Sequence, residues 1–487
     1  MQGSKMPALS VGTTVRLISP SRDVSGLEEP LCGLDMLLSS MSTSTACRYD
    51  TVLDRKVLED GLVEALNEYP AVAGRVGETG DRLVDMHRGV RFEWIVRGEA
   101  DGIKCPSKDA LSPECSAVFW ECDAKVFPRR LRNAPLDRDE PLITIRVSVF
   151  PKEQATFVAM RYSHLLGDGP SRAAFYLTWS SKCKGSVLPA TPPATPQPLG
   201  LRLSHLPKST ESSETNDSEE KLIQDFLDSG MGPYCPLDSS ATEELVQKAA
   251  KAFDDAILVD IRVKTTDMRT FKEKVVSHAS CNAPWLSTNE VFSAAIIKAL
   301  GQTLDFEAIP CMTMVNSRGR HPSIPEHYFG NYAFICKAEM DASQPLGAIA
   351  SRFHDALRNY IKDIANVQAN VWMNRVQRAG LGHKLWWSFV ANYFKESKKG
   401  IMLNWRVGFP WMDTDLGSGL APSSVLQQRQ EVYWIWDAIS VNTETISIRG
   451  TLSKKEQVET LLKSLKDMGL DFTLVSDLEH HPESRGF

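Results

Sequence analysis

A histidine, an aspartate and a glycine stand close together in the segment His164-Leu165-Leu166-Gly167-Asp168-Gly169. An imidazole titrates near neutral pH, so it can take a proton from a hydroxyl or amine and release it later in the same reaction. Such a group needs exposure to substrate and a fixed orientation. Asp168 offers a carboxylate four residues on, and Gly169 permits a sharp turn. The spacing by itself fits two readings. One is a general base with a supporting acid; the other is a packed histidine followed by a helix-capping aspartate.

The surrounding pattern places this segment on a loop. Residues 142–150 (Leu-Ile-Thr-Ile-Arg-Val-Ser-Val-Phe) and Ala155 to Tyr162 read as two strands separated by a turn at Pro151-Lys152-Glu153-Gln154. His164 then falls just past a strand end. Gly169-Pro170 marks a break that can open a helix, which Ala173 to Trp179 continues.

Other stretches must supply the frame. Leu58, Leu62 and Leu66 recur at i+4 behind Asp54, predicting a capped amphipathic helix over 54–68 that Pro70 ends, with short strands following through Arg91-Phe92-Glu93-Trp94. Residues 185–240 are rich in proline (Pro189, Pro192, Pro193, Pro196, Pro198) and then polar (Ser209 to Glu220), which suits a linker or long crossover. A second lobe opens near the strand-like Leu258-Val259-Asp260-Ile261-Arg262-Val263. Ser287 with Glu290, and Ser453 with Glu456, have capping-box spacing ahead of apolar runs; the second run closes at Gly469. Strands alternate with helices in both halves. The expectation is an α/β protein of two lobes, 1–184 and 241–487, joined by the crossover 185–240.

Composition narrows the function classes. The chain has 487 residues, 42% of them hydrophobic and 24% charged, enough for two or three domains with real cores. A net charge of −6 is the wrong sign for a nucleic-acid binder. No apolar run reaches membrane-spanning length and no signal-peptide core follows Met1, so a cytoplasmic protein is expected. The ten cysteines form no Cys-x-x-Cys pair and read as free thiols; Cys105, Cys115 and Cys122 lack ligand spacing, and no metal is expected. There is no Gly-x-Ser-x-Gly elbow, Walker loop or His-Glu-x-x-His, and Gly417-Ser418-Gly419 is too short for a dinucleotide loop. Trp386, Trp387, Trp405, Trp411, Trp434 and Trp436 read first as core or sheet packing, and His480-His481 as a solvated tail.

Five segments in order resemble the BAHD acyltransferase family in its fungal-type branch. They are Leu31-Cys32-Gly33-Leu34-Asp35, Tyr69-Pro70-Ala71-Val72-Ala73-Gly74-Arg75, His164 to Gly169, Val315-Asn316-Ser317-Arg318-Gly319-Arg320 with Tyr328-Phe329-Gly330-Asn331, and Asp415-Leu416-Gly417-Ser418-Gly419. The third matches the family's His-x-x-x-Asp-Gly motif. The last stands where the family has Asp-Phe-Gly-Trp-Gly, with Leu416 and Ser418 in place of phenylalanine and tryptophan. The resemblance implies two chloramphenicol-acetyltransferase-like lobes, mixed sheets flanked by helices, with a channel between them.

The resemblance also implies roles. His164 would deprotonate the acceptor and return the proton to the CoA sulfur, without an acyl-enzyme. Asp168, the motif's second member, would act mainly through structure, paired with Arg318. Gly169, Asp415, Gly417 and Gly419 would shape turns, and Asn404 is a candidate oxyanion donor beside its plainer reading as a turn or surface residue. No cofactor would be permanently bound; acyl-CoA, acetyl-CoA by default, would be co-substrate to a small acceptor such as a terpenoid, alkaloid or polyketide, and the protein would be a monomer. Two alternatives stay open: acyl transfer from a carrier-protein-bound or polyketide intermediate, and a catalytically silent member that binds through the same channel. Ser163 stands where condensation domains carry a second histidine, which counts against that relative.

Overall fold

The structure is a computed structural model that describes residues 11–31, 35, 42–98, 102–106, 139–185, 257–278, 280–320, 324–363, 401–427 and 435–475. The expected linker beyond Gly185, Trp386, Trp387, Trp434, Cys115, Cys122 and His480-His481 lie outside them.

Among the described residues sixteen strands run in chain order: β1 Gly12–Ile18, β2 Glu29–Pro30, β3 Ser42–Tyr49, β4 Arg75–Val76, β5 Arg82–Val84, β6 Val90–Val96, β7 Ile143–Phe150, β8 Ala155–Ser163, β9 Ile257–Lys264, β10 Ala308–Asn316, β11 Ala333–Asp341, β12 Ile401–Trp405, β13 Ser424–Gln427, β14 Ile435–Ser440, β15 Thr445–Leu452 and β16 Thr473–Leu474. The helices are α1 Arg55–Glu68, α2 Gly169–Cys183, α3 Thr265–Ser277, α4 Thr288–Leu304, α5 Leu346–Asp363 and α6 Lys455–Asp467.

Two mixed sheets dominate. The first has the order β1-β6-β7-β8-β3-β13 and the second β11-β10-β12-β14-β15-β9-β16; a small sheet, β2-β5-β4, accompanies them. β6 pairs parallel with β7, and β12 lies parallel to both β10 and β14; the other pairings of the two large sheets are antiparallel. β7 and β8 sit inside the first sheet and are buried on both faces; β8 is largely apolar, while β7 alternates Ile-Thr-Ile-Arg-Val-Ser-Val. Ile143, Ile145, Val147 and Val149 face the core shared with α1 and α2, while Ala155, Phe157 and Ala159 enter a separate cluster on the opposite face.

Helix signals read from sequence hold at every end but one. Asp54 caps α1, accepting from the Lys56 and Val57 amides at 2.7 and 3.1 Å, and Leu58, Leu62 and Leu66 are fully buried. Ser287 and Glu290 form a reciprocal capping box on α4. Gly469 ends α6, with its own amide on the Lys466 carbonyl and the Leu470 amide on the Leu465 carbonyl. At the start of α6 the expectation fails. The helix begins after Lys454, and Ser453 bonds Gln457 at 2.9 Å instead of boxing with Glu456. A glutamine one residue further on outcompetes the glutamate for the serine.

One strand crosses between the halves. β13, from the C-terminal part of the chain, pairs antiparallel with β3 at the edge of the first sheet, Ser424 opposite Arg48 through Gln427 opposite Thr45. Asp415 to Gly419, just before it, packs on α2. Among the described residues no helix is long and apolar enough to cross a membrane, and no group of His, Cys, Asp and Glu is arranged to hold a metal ion. The six described cysteines, Cys105 included, are free.

Candidate active site

β8 delivers His164. The last ladder bond is made by the Ser163 amide to Leu142, after which Leu166 and Gly167 turn back on Ser163 and His164. Asp168 follows as the N-cap of α2, accepting from the Ser171 amide. Gly169 lets the Phe409 ring pack directly against this turn: a Cβ there would lie 2.5 Å from the ring.

Asp168 faces away from the imidazole and into the second lobe. Its carboxylate takes two parallel bonds from the Arg318 guanidinium, each 2.8 Å, and a third from the Tyr332 amide at 3.0 Å. Asp168 and Arg318 are 6% and 8% exposed. Arg318 is further held by the carbonyls of Tyr328 and Gly330 and by the side chains of Asn316 and Ser171. A fork-to-fork pair with its remaining groups satisfied fixes geometry on both sides of the lobe boundary. Its chemistry is that of a clamp, with both charges neutralised by each other.

The imidazole takes its orientation from a different pair. Asn331 Nδ2 donates to Asp35 Oδ1 at 3.0 Å and to the His164 carbonyl at 2.6 Å, and the Asn331 amide donates to the same Asp35 oxygen. Both acceptors require the NH2 group, so the amide cannot be flipped. Its Oδ1 is therefore the atom that meets His164 Nδ1, at 3.3 Å. An amide oxygen can only accept, so Nδ1 carries the proton and Nε2 is the free, basic nitrogen. Burial, the largest influence, pushes the imidazole down to about 4; the Asn331 contact and the Asp168 carboxylate oppose this, while Arg172 and Arg406 add to it. At neutral pH the ring is uncharged and ready to accept a proton.

The structure brings His164, Asp168, Gly169 and Arg318 together and leaves the other sequence candidates elsewhere. Asp415, Gly417 and Gly419 lie at the far, C-terminal end of α2. The Asp415 amide bonds Ser180 at 3.0 Å, its carboxylate accepts from the Gly417 amide at 2.9 Å and pairs with Lys184 at 3.2 Å. Gly417 has φ +82° and abuts Val57 and the Cys183 carbonyl, while Gly419, φ +74°, faces open space. Leu416 fills the core where the family pattern has phenylalanine, and Ser418 bonds within the turn. Fifteen helical residues span roughly 22 Å, so this segment builds the frame and does not touch the imidazole. Asn404, on β12, stands in register with Asp437 on β14 and lines a shallow pocket with Phe292, Trp405 and Trp436. Trp411 packs edge-on against Tyr176.

Sequence reasoning did not assign roles to Asp35, Asn331, Arg172 or Arg406. The first two stand inside segments that resemble family landmarks, but 296 residues separate them, and no periodicity connects such positions. Arg172 and Arg406 carry no local signal.

Two α/β lobes clamped together beside a half-buried, neutral histidine on a strand-to-helix turn define the architecture of acyltransferases related in fold to chloramphenicol acetyltransferase. The chain belongs to the Transferase family, a BAHD-type acyltransferase family whose model matches residues 11–458. Solved structures share the fold. Vinorine synthase is 15% identical, with a TM-score of 0.62 over 94% of this chain and 98% of that one. F. graminearum TRI101, complexed with coenzyme A and T-2 mycotoxin, is 16% identical, with a TM-score of 0.64 over 93% and 100%. The condensation domain of the polyketide synthase MokA is 11% identical, with a TM-score of 0.53 over 91% and 96%. No curated protein matches by sequence.

Proposed function

We propose that this acyltransferase moves an acyl group, acetyl by default, from CoA to a hydroxyl of a small secondary metabolite, with His164 as general base. The observation that carries the reading is the fixed tautomer of His164, which aims a basic Nε2 away from Asn331. The resemblance in fold to TRI101, solved with coenzyme A and T-2 mycotoxin, supports the choice of co-substrate and acceptor class.

Nε2 takes the acceptor's proton as its oxygen attacks the thioester carbonyl. The C–S bond breaks from the tetrahedral adduct, and the imidazolium, held at Nδ1 by Asn331, gives the proton to the departing thiolate. The ester and free CoA leave, and the base is regenerated. Asp35 orients Asn331 and so positions the base at second hand. Asp168 and Arg318 hold the turn. Asn404 remains a candidate donor to the oxyanion. No resident cofactor or metal enters, and the working unit is a cytoplasmic monomer.

A thiol-release assay tests this. Purified protein is incubated with a panel of acyl-CoAs and a mixture of hydroxylated terpenoid, alkaloid and polyketide acceptors, with His164→Ala alongside. Acceptor-dependent release of free CoA that disappears in the variant is the expected result. No release, together with no binding of any CoA thioester in direct titration, sinks the reading and leaves carrier-bound donors or a silent binder.

A further inference from the structure

Beside His164 lies a cluster of buried charge that the acyl-transfer chemistry does not use. Across the second sheet, Asn404, Asp437, Arg449 and Asp260 stand in one row, each in register with the next. Arg449 pairs with Asp260 at 3.0 Å. Arg406, leaving β12, places Nη2 3.0 Å from Asp437, off the hydrogen-bond angle. Arg172 of α2 closes the row from the first lobe, near enough to Arg406 for each charge to bear on His164.

The charges do not balance. With Arg262, two residues beyond Asp260 on the same face of β9, four arginines (Arg172, Arg262, Arg406, Arg449) face two carboxylates (Asp260, Asp437) among the described residues, so positive charge is in surplus. Asp437 bears on both Arg406 and Arg172, and Arg172, 2% exposed, has no ion pair of its own among the described residues. Its guanidinium touches the Thr43 hydroxyl at 2.6 Å and stacks 5.2 Å over the Trp411 ring, neither of them an anion. Among the described residues its Nε, and Nε and Nη2 of Arg406, are buried with no hydrogen-bond partner. Arg172 also stands in the first turn of α2, where the helix dipole disfavours a cation. Burial and the neighbouring Arg406 push Arg172 down to about 9. A buried guanidinium in this state is costly unless something anionic meets it.

We propose that Arg172 and Arg406 form the receptor for a carboxylate carried by one of the two substrates, so that the enzyme selects an anionic acyl group or an anionic acceptor. The proposal rests on the acyltransferase reading above. The carboxylate could belong to either reactant, because the pair lies beside the histidine where donor and acceptor meet. It would neutralise the surplus charge and fill the open Nε donors, and it would leave during turnover on the ester or, if unreacted, with the substrate. The acyl transfer itself is unchanged: one C–S bond breaks, one C–O bond forms, and the proton passes through His164.

The test is calorimetric titration of the full-length protein with matched pairs. On the donor side, malonyl-CoA is compared with the isosteric neutral isovaleryl-CoA. On the acceptor side, hydroxylated aromatic and terpenoid acids are compared with their methyl esters. The wild type is expected to bind the acid at least tenfold more tightly than its neutral twin in one arm, and the arm that responds names the substrate. The ratio should collapse toward one in Arg172→Met and be partly kept in Arg172→Lys. Indifference of the wild type in both arms overturns the proposal without any variant. A preference unchanged in Arg172→Met overturns it too. So does an equal loss of affinity for free CoA, acids and neutral partners, which would assign the arginines to the CoA phosphates or to the oxyanion. Normal binding of CoA thioesters with no acid preference removes only the carboxylate receptor; absence of all thioester binding removes the acyltransferase reading with it.

Discussion

At the residue scale the site depends on keeping one imidazole neutral and aimed. His164→Ala should lower turnover by about 10²–10⁴-fold with the fold retained, as general-base losses usually run; kcat with a saturating acceptor and circular dichroism together check this. Because desolvation depresses His164 to about 4, the acid limb of kcat/KM should lie well below the ordinary histidine value of 6.5, and a limb at 6.5 or above would contradict the neutral base. The sign carries over to stability. The unfolded chain protonates this histidine below about 6.5 while the folded one resists until about 4, so the unfolded state gains protons first. Stability attributable to His164 is complete above 6.5 and is lost as pH falls from there toward 4; comparing wild type with His164→Gln by denaturant titration from pH 7 to 4 isolates it. Much of this was legible in sequence. His-x-x-x-Asp-Gly pointed to the histidine, and Arg318 was paired with Asp168 on resemblance, as the two side chains meet in the structure. Asn331 and Asp35 stayed silent because their function arises only when residues hundreds of positions apart converge on one ring.

At the element scale α2 is the shared support: its first residues carry the turn that holds His164 and its last residues carry the segment Asp415 to Gly419. Removing one partner of a buried ion pair typically costs about 3–5 kcal/mol, so Arg318→Ala and Asp168→Asn should each lower the melting temperature as well as the rate; unchanged melting in both would remove the clamp. Gly417→Ala should behave differently. A left-handed residue other than glycine costs about 1–3 kcal/mol, and here the new Cβ would also press on the Cys183 carbonyl. Melting should drop while kcat per folded molecule stays, since the turn is remote from the imidazole; a loss of kcat without a loss of stability would return the segment to the chemistry. Periodicity and capping residues revealed α1 and α4 well, because helix signals are local. The start of α6 misled for the same reason: two acceptors, Glu456 and Gln457, were within reach of Ser453, and spacing cannot rank them.

At the scale of the whole molecule the lobes are tied by the Asp168–Arg318 pair and by β13, which lends a strand of the later chain to the earlier sheet. Unfolding should therefore appear in calorimetry as one transition; two resolved peaks would mean that these ties are weak. The two-lobe α/β arrangement could be read from alternating strands and helices, whereas the exchange of β13 could not, since a four-residue strand has no distinctive pattern. That exchange sets an order of events during protein synthesis. Until the ribosome has passed residue 427, β3 has a bare edge, and the space taken by Leu416 beside α1 and α2 is empty. The first half emerges from the ribosome as an unfinished sheet, with an open strand edge of the kind that recruits neighbouring chains. The newborn chain thus spends most of its translation time needing either delay or a chaperone, and a fragment ending before β13 is expected to accumulate as aggregate while the full chain does not.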